Sequence, residues 1–176
     1  MKNYVYIATS IDGYIADEND SLDWLPNPNE ELNLELGFVE FMDKIDAIVM
    51  GKNTFNIVCS FGIEWPYEKP VFMLSNSIKE IPKGLEGKVE LLSGAVEDVL
   101  ELVHSRGYKN LYIDGGVNIQ NFLEKDLIDE MIITVIPKLI GGGKPLFSNL
   151  AHRLDFECIS SSVDRGVVQN HFRRVK

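Results

Sequence analysis

Cysteine is scarce in this sequence, and the two cysteines lie far apart. Cys59 and Cys158 form neither a CxxC pair nor a spacing typical of a zinc site, so we expect neither a disulfide framework nor a cysteine-ligated metal. Reduced thiols of this kind are typical of a cytoplasmic protein, and we expect that location. No metal site is expected from histidine either, because His104, His152 and His171 show no ligand spacing.

Long hydrophobic runs are also missing. The longest, such as residues 132–136, are far shorter than the roughly 20 residues that a membrane span requires, and no basic and apolar leader opens the chain. Basic residues are few as well, because 17 lysines and arginines stand against 27 acids, which gives a net charge of −10. This charge opposes binding to nucleic acid. We therefore expect neither a membrane nor a nucleic-acid partner.

What the chain does have is a hydrophobic content of 45% over 176 residues. That length supports one domain with a single core, which we place at residues 1–176. Short runs rich in valine and isoleucine, several of them without polar alternation, are typical of central strands covered on both faces. The predicted strands are residues 4–8, 47–50, 71–74, 89–92, 111–113 and 130–137.

Helical periodicity separates these strands, whereas the chain ends in a different pattern. The predicted helices are residues 30–44, a short helix from Thr54, residues 96–106 and residues 118–125. Near the end, residues 156–163 and 167–175 flank Asp164-Arg165-Gly166, which is typical of a hairpin turn. The sequence therefore predicts an α/β fold, with a mixed, mainly parallel sheet, flanking helices and a C-terminal antiparallel hairpin.

Three glycine-containing junctions follow predicted strands. They are Gly51-Lys52-Asn53-Thr54, Asp114-Gly115-Gly116-Val117-Asn118 and residues 139–147. Glycine lets the backbone approach a ligand, and the amides at a helix N-terminus favour phosphate. Each junction alone is more often a plain turn, and the third is either a lid or a simple connection. Three such junctions in one small domain favour a nucleotide ligand.

Three further segments carry polar or aromatic groups whose roles the sequence leaves open. Ser75 and Asn76 follow the strand at 71–74, where they either bind a ribose or its phosphate or cap the next segment. Asp12 precedes Gly13 and is either a site carboxylate or a turn residue. Trp24 is either a wall for a flat heterocycle or part of the core before Pro26.

Taken in order along the chain, these segments resemble the dihydrofolate reductase-like superfamily. The sequence looks most like the C-terminal reductase domain of the riboflavin-biosynthesis deaminase-reductase and its stand-alone relatives. The resemblance runs through residues 8–16, 50–55, 74–76, 113–116 and 137–147. It implies a mixed sheet of about eight strands that binds NADPH. The cofactor-binding residues that it implies are Ala8, Ile15, Gly51, Lys52, Asn53, Thr54, Ser75, Asn76, Gly115, Gly116, Val117 and Asn118.

The resemblance also implies a reaction, which is the NADPH-dependent reduction of a small heterocyclic, carbonyl or imine substrate. The pattern favours chemistry like that of 5-amino-6-(5-phosphoribosylamino)uracil reductase in riboflavin biosynthesis. Dihydrofolate reduction is the alternative among enzymes, and a non-catalytic NADP-binding module is the alternative of another class. Asp12 is predicted to orient the substrate or relay a proton, with Glu31 and Glu35 as further candidates, and Trp24 to contact the substrate. Relatives of this branch often pair, so we expect a homodimer, formed through the strand at 131–136 or the C-terminal hairpin.

Two features depart from the family pattern. The zinc signature of the deaminase, HxE with PCxxC, does not occur in the sequence. Between residues 3 and 43 there is no lysine or arginine, whereas ten acidic residues crowd that span. We therefore expect a pocket that prefers a neutral or cationic substrate to a phosphorylated one. The alternative is that these acids form a solvated surface.

Overall fold

The chain folds around one eight-stranded sheet, and the computed structural model describes residues 1–26, 36–78 and 80–176. The strands are β1 (Lys2–Ser10), β2 (Tyr14–Ala16), β3 (Ala47–Gly51), β4 (Val71–Leu74), β5 (Val89–Leu92), β6 (Asn110–Asp114), β7 (Glu130–Ile136), β8 (Lys144–Pro145), β9 (Phe156–Asp164) and β10 (Val167–Arg174). The helices are α1 (Phe38–Asp43), α2 (Lys52–Ser60), α3 (Val96–Ser105) and α4 (Gly116–Glu124).

The order of strands across the main sheet is β5-β4-β3-β6-β1-β7-β10-β9. All neighbouring pairs from β5 to β7 are parallel, whereas β10 runs antiparallel to both β7 and β9. The predicted fold class, a mixed and mainly parallel sheet with a C-terminal antiparallel hairpin, is thereby confirmed. A separate two-stranded antiparallel ladder joins β2 to β8.

Helices cover both faces of the parallel part of the sheet, which is why its strands read as apolar runs. On one face, Val99 of α3 and Phe122 of α4 belong to a buried cluster that includes Ile113 of β6. Phe41 of α1 and Phe55 of α2 pack on the other face with the second cluster. Burying each such side chain stabilises the fold by roughly 1.5–3 kcal/mol. None of the helices α1 to α4 is long and apolar enough to cross a membrane.

The predicted strands agree with the structure to within two residues at each end, but two other expectations need correction. The predicted helix at 30–44 is described only from residue 36, and there the helix α1 begins at Phe38. Gly37 precedes it with a left-handed φ of 78°. An α-helix does not contain this conformation, so α1 does not extend back through Gly37. The segment 139–147 is not a loop throughout, because Lys144–Pro145 forms the strand β8.

Candidate functional site

Four central strands end side by side at one edge of the sheet. Because the pairs β4–β3, β3–β6 and β6–β1 are parallel, their carboxyl ends form a row with a spacing of about 4.8 Å. Ser75 follows β4, the helix α2 follows β3, and α4 follows β6. Open α/β sheets bind ligands outside the carboxyl ends of their strands. The edge of the sheet above this row is therefore the candidate site.

A cavity of about 700 Å³ lies along this row. All twelve residues that the resemblance assigns to the cofactor line it, from Ala8 and Ile15 at β1 and β2 to Ser75 and Asn76 after β4. The structure thus brings together residues that are more than 100 positions apart in sequence. Their roles towards a cofactor stay predictions.

The N-termini of α2 and α4 face this cavity, and neither has a side-chain N-cap. Gly51 and Gly115 precede these helices, no side chain caps either one, and neither helix has an acid in its first turn. The helix α3 also begins at this cavity, through Val96, but it has Glu97 and Asp98 in its first turn. Uncapped amides and the positive end of the helix dipole attract anions. The arrangement at α2 and α4 therefore fits a ligand that carries phosphate.

Gly115 and Gly116 keep the backbone open where the two helix starts meet. Gly115 has a φ of 95°, and a Cβ at this position would lie 2.4 Å from Oγ1 of Thr54. A Cβ at Gly116 would lie 2.5 Å from Cδ1 of Ile15. Asn118 holds α4 in place, because its side-chain amide donates to the carbonyl oxygen of Val49 at 2.9 Å. A larger residue at either glycine would collide with Thr54 or Ile15. The two glycines thus leave the backbone accessible from the cavity.

Polar side chains gather at the β4 end of the cavity. The Nζ atom of Lys52 donates to Oγ of Ser77 at 3.1 Å. The hydroxyl oxygen of Ser75 accepts the amides of Ser77 and Ile78 at 3.2 and 3.1 Å, and Oδ1 of Asn76 accepts the amide of Gly94 at 3.3 Å. The capping interpretation of Ser75 therefore holds in the structure, and Lys52 supplies a positive charge beside this ordered turn.

Asp12 is absent from the described lining of the cavity and instead holds a loop. Its Oδ1 accepts hydrogen bonds from Oγ of Ser10 at 2.5 Å and the amide of Ile140 at 3.3 Å, and its Oδ2 accepts the amide of Gly141 at 2.8 Å. The hydrogen bond from Ser10 lowers the pKa of Asp12, and the two amides lower it further. Such a carboxyl is ionised at neutral pH. Its hydrogen bonds with Ser10, Ile140 and Gly141 are those of a residue that holds the loop in position.

Trp24 packs in a small core cluster with Ile136 and Val167. It is absent from the described cavity lining, where Leu22 and Leu25 represent the same segment. The core interpretation therefore describes the position of this indole, and a contact with substrate stays a prediction. Glu31 and Glu35 lie outside the described residues, so their predicted roles also stay predictions.

Asp114 is a buried carboxyl in the cavity wall that the list of candidates drawn from the sequence omits. It ends the strand β6, lines the cavity and is 8% exposed. Burial raises the pKa of Asp114 to about 6, although the amide of Gly115 and the hydroxyl of Tyr112 act in the opposite direction. A carboxyl with this pKa can hold or release a proton near neutral pH. In the sequence, Asp114 is marked only as an acid directly before two glycines at the end of an apolar strand. That pattern does not show that its side chain is buried.

Comparison with known proteins identifies close relatives. Residues 67–169, more than half of the chain, match the RibD C-terminal domain family. The uncharacterized protein YwjB of Bacillus subtilis (strain 168) is 32% identical over 175 residues, which cover 98% of each chain. A solved structure from Shewanella sp. PV-4, a protein provisionally assigned to riboflavin biosynthesis, is 50% identical. It matches with a TM-score of 0.94 over 100% of both chains.

More distant structures share the fold alone. A deaminase and 5-amino-6-(5-phosphoribosylamino)uracil reductase from Thermotoga maritima matches with a TM-score of 0.76 at 16% identity, covering 99% of this chain and 56% of that one. Dihydrofolate reductase from Enterococcus faecalis, solved with NADP(H), matches with a TM-score of 0.68 at 16% identity, covering 99% of this chain and 97% of that one. The predicted resemblance is confirmed: the chain belongs to the RibD C-terminal domain family and has a dihydrofolate reductase-like fold.

Proposed function

We propose that this protein is an NADPH-dependent reductase of a small heterocyclic, carbonyl or imine substrate. Its chemistry would resemble that of 5-amino-6-(5-phosphoribosylamino)uracil reductase. The observation that carries the proposal is the pair of uncapped helix N-termini, at α2 and α4, that open into one cavity beside Lys52. We also place the protein in the cytoplasm, where its two exposed free cysteines would stay reduced.

The residues of the cavity divide into regions that suit the parts of NADPH. The amides at Gly51 and at Gly115-Gly116 would hold the pyrophosphate, because they lie at helix N-termini that have no acid in the first turn. Lys52 and the serine-rich turn after β4 would hold the 2′-phosphate of the adenosine ribose. Ala8 and Ile15 provide an apolar surface for the nicotinamide. When bound, NADPH would supply a hydride, and the residues of the cavity would orient it.

Reduction of a C=N or C=O bond also consumes a proton, and we propose that the carboxyl of Asp114, which lies in the cavity wall at the end of β6, supplies it. Its raised pKa, about 6, keeps a useful fraction of the carboxyl protonated near neutral pH. Asp12 is less suited to this task, because its hydrogen bonds with Ser10 and Gly141 favour the ionised form. In this proposal Asp12 is a positioning residue and Asp114 is the proton donor.

Thermal unfolding with NADPH and, separately, with NADH tests the cofactor. A ligand at about 100 times its dissociation constant adds roughly 2.7 kcal/mol of stability, which raises the Tm of a domain of this size by about 5–10 °C. We expect this increase with NADPH and a much smaller one with NADH. Lys52→Ala should weaken NADPH binding about tenfold and leave NADH binding unchanged. Lys88→Ala, an exposed lysine outside the cavity lining, is the matched control.

NADPH oxidation then separates the three interpretations of the reaction. The substrates are the aminopyrimidine of the uracil reductase, dihydrofolate, and a panel of simple carbonyls and imines. Turnover of the aminopyrimidine supports the proposal, and turnover of dihydrofolate alone supports the alternative enzyme. NADPH binding without oxidation of any of them supports a non-catalytic binding module.

We further propose that the protein forms a homodimer through the hairpin β9–β10. The strand β7 cannot offer a free edge, because β1 and β10 pair with its two sides. The strand β9 is the last in the sheet order, and Ile159 and Val163 are exposed along it. Light scattering at micromolar concentration should give twice the monomer mass, and Ile159→Lys should reduce it to the monomer mass. Val39→Lys, at an exposed position on α1, should leave the dimer intact, and a monomeric parent protein would contradict the proposal.

A further inference from the structure

The part of the cavity next to β1 and β2 combines an apolar lining with one pair of opposite charges. The apolar lining there consists of Ile7, Ala8, Ile15, Ala16, Leu22 and Leu25. Asp20 and Lys144 line the same region, with Oδ1 of Asp20 3.9 Å from Nζ of Lys144. Because the two charges are equal and opposite, an anion bound here would meet a carboxylate together with the ammonium.

Few other cations are in a position to offset Asp20. Lys52 and Lys144 are the only basic residues in the described lining of the cavity, and Lys52 lies at the β4 end, next to Ser77. Lys138 donates its Nζ to the carbonyl oxygen of Trp24 at 2.8 Å. The sequence of residues 27–35 contains no lysine or arginine. Among the described residues, a phosphate group in this region would therefore lack the clustered basic side chains that usually bind it.

Further acids strengthen the negative potential around Asp20. Asp17, Glu18 and Asp23 lie in the same short segment. Oδ1 of Asp17 accepts the amides of Asn19 and Ser21 at 2.7 and 2.8 Å, which orders the turn that carries Asp20. The carboxylate of Asp20 is thus presented to the cavity by an ordered turn in an acidic surrounding. Of the helix N-termini in the described cavity lining, those of α2 and α4 are assigned to the cofactor, and that of α3 has Glu97 and Asp98 in its first turn.

We infer that this region accepts a substrate without a phosphate group, as an uncharged or cationic heterocycle, and that Asp20 determines this preference. The inference rests on the proposed function, because it assigns the α2 and α4 N-termini to the cofactor. The inferred substrate differs from that of the Thermotoga maritima reductase, which shares the fold and whose name gives a phosphoribosyl compound as its substrate. The chemistry of the bond that is reduced stays the same, and only the group that the pocket selects differs.

A pair of compounds that differ only in the phosphate tests the inference. They are 5-amino-6-(5-phosphoribosylamino)uracil and its dephosphorylated counterpart, each titrated calorimetrically into the NADPH-bound protein and each assayed for NADPH oxidation. We expect the dephosphorylated compound to bind at least tenfold more tightly and to have a kcat/KM at least tenfold higher. Raising the ionic strength from about 0.05 to 0.5 M should narrow both ratios, because salt screens repulsion from a partly exposed carboxylate.

The variant Asp20→Asn isolates the charge of that carboxylate. Asp20 has a φ of 63°, and asparagine tolerates this left-handed conformation, so the turn should be retained. We expect the preference for the dephosphorylated compound to fall at least threefold, with NADPH binding unchanged. Asp23→Asn is the matched control, because Asp23 is an exposed acid of the same segment that is absent from the described cavity lining. It should leave the preference unchanged.

The outcomes distinguish this inference from the proposed function. If the dephosphorylated compound binds more tightly but neither compound oxidises NADPH, the reductase proposal fails and the inference on the pocket stands. If the phosphorylated compound binds or reacts equally well or better, the inference is overturned and the reductase proposal stands. Failure of both compounds to bind also overturns the inference, and so does an Asp20→Asn variant that keeps the full preference.

Discussion

At the scale of single residues, two aspartates near the cleft have pKa values shifted in opposite directions. Asp12 accepts hydrogen bonds from Ser10 and from two loop amides, all of which stabilise its charged form. Asp114 is buried at the end of β6, where loss of hydration favours its neutral form. The sequence places both next to glycine, and the candidates drawn from it include Asp12 but not Asp114. Their different surroundings in the fold distinguish Asp12, which anchors the loop, from Asp114, to which we assign the proton.

Replacing Asp114 with asparagine should reduce turnover and change its pH dependence. We expect kcat to fall roughly 100-fold, the usual contribution of a general acid. In the parent protein kcat should decline above about pH 6, because the carboxyl of Asp114 then loses its proton. That decline should be absent from Asp114→Asn. A variant with full turnover and an unchanged pH profile would contradict the assignment, and Asp12→Asn, which should retain the profile, is the control.

The same substitution should stabilise the protein in the absence of ligand at neutral pH. Because the pKa of Asp114 rises from 3.8 to about 6 on folding, the folded protein binds more protons than the unfolded chain between these values. Stability is therefore lost as the pH rises through this window, by roughly 2–3 kcal/mol at pH 7. Urea unfolding should show Asp114→Asn to be more stable than the parent by about 2 kcal/mol at pH 7.5, with the difference vanishing near pH 4. Equal stability at both pH values would show that the carboxyl is not shifted.

Replacing Asp12 with alanine should loosen the loop that follows β7. We expect hydrogen exchange at the amides of Ile140 and Gly141 to accelerate at least tenfold, because both lose the acceptor that protects them. KM should rise, and the pH profile of kcat should be unchanged. Asp98→Ala, which removes an exposed acid on α3, is the control. A lost pH profile in Asp12→Ala would restore the predicted catalytic role, whereas full turnover by Asp12→Asn would exclude it.

At the scale of elements, the short ladder β2–β8 joins the loop after β7 to the segment that borders the cavity. Gly143 precedes β8 with a φ of 141°, and a Cβ at this position would lie 2.1 Å from the carbonyl oxygen of Ala16. The main chains therefore approach more closely than any other residue type would permit. This contact is also what places Lys144 beside Asp20.

Gly143→Ala should consequently destabilise the fold far more than the same substitution two residues earlier. The added methyl group meets backbone that cannot move aside, and we expect a loss of about 3 kcal/mol or more in the free energy of unfolding. Gly141→Ala is the matched control. It also has a positive φ, of 78°, but open space around its Cβ position, so it should lose about 1 kcal/mol. Similar losses for the two variants, measured by urea unfolding, would argue against the close approach.

At the scale of the whole molecule, the sequence predicts the strands and their class well because their physical signals are local. Runs of valine and isoleucine mark strands covered on both faces, and a glycine after α3 marks its end. The ladder β2–β8 has no comparable signal, since two or three residues are too few to show a period. The residues that line the cavity could be named from the resemblance. The positions of Asp12 in a loop, Trp24 in a core cluster and Asp114 in the buried cavity wall depend on the tertiary structure. The surroundings of Asp114 include segments distant in sequence, such as the one carrying Tyr67, whose hydroxyl interacts electrostatically with its carboxylate. No local pattern encodes that proximity.

Glu130 links the parallel part of the sheet to the C-terminal hairpin, and it should make the whole fold sensitive to acid. It lies on β7, where Nζ of Lys2 on β1 and Nε2 of His171 on β10 approach its carboxylate oxygens to 2.5 and 2.8 Å. Burial alone would raise the pKa of Glu130, but these two partners outweigh burial and lower it. Its contribution to stability is therefore present above the pKa of the unfolded chain, near 4.5. That contribution is lost as the pH falls through the lower folded value.

Glu130→Gln should thus be less stable than the parent by about 2 kcal/mol at pH 7, because it loses the hydrogen bonds that the Glu130 carboxylate makes with Lys2 and His171. The difference should shrink towards zero as the pH falls below about 4, where the parent carboxylate becomes protonated. Urea unfolding at pH 3, 5 and 7 measures this convergence. Glu157→Gln is the control, since this exposed residue of β9 pairs with Arg173 at 3.5 Å and should contribute less than about 1 kcal/mol. A constant difference at all three pH values would mean that the loss comes from packing, and that the charge of Glu130 does not join the two halves of the sheet.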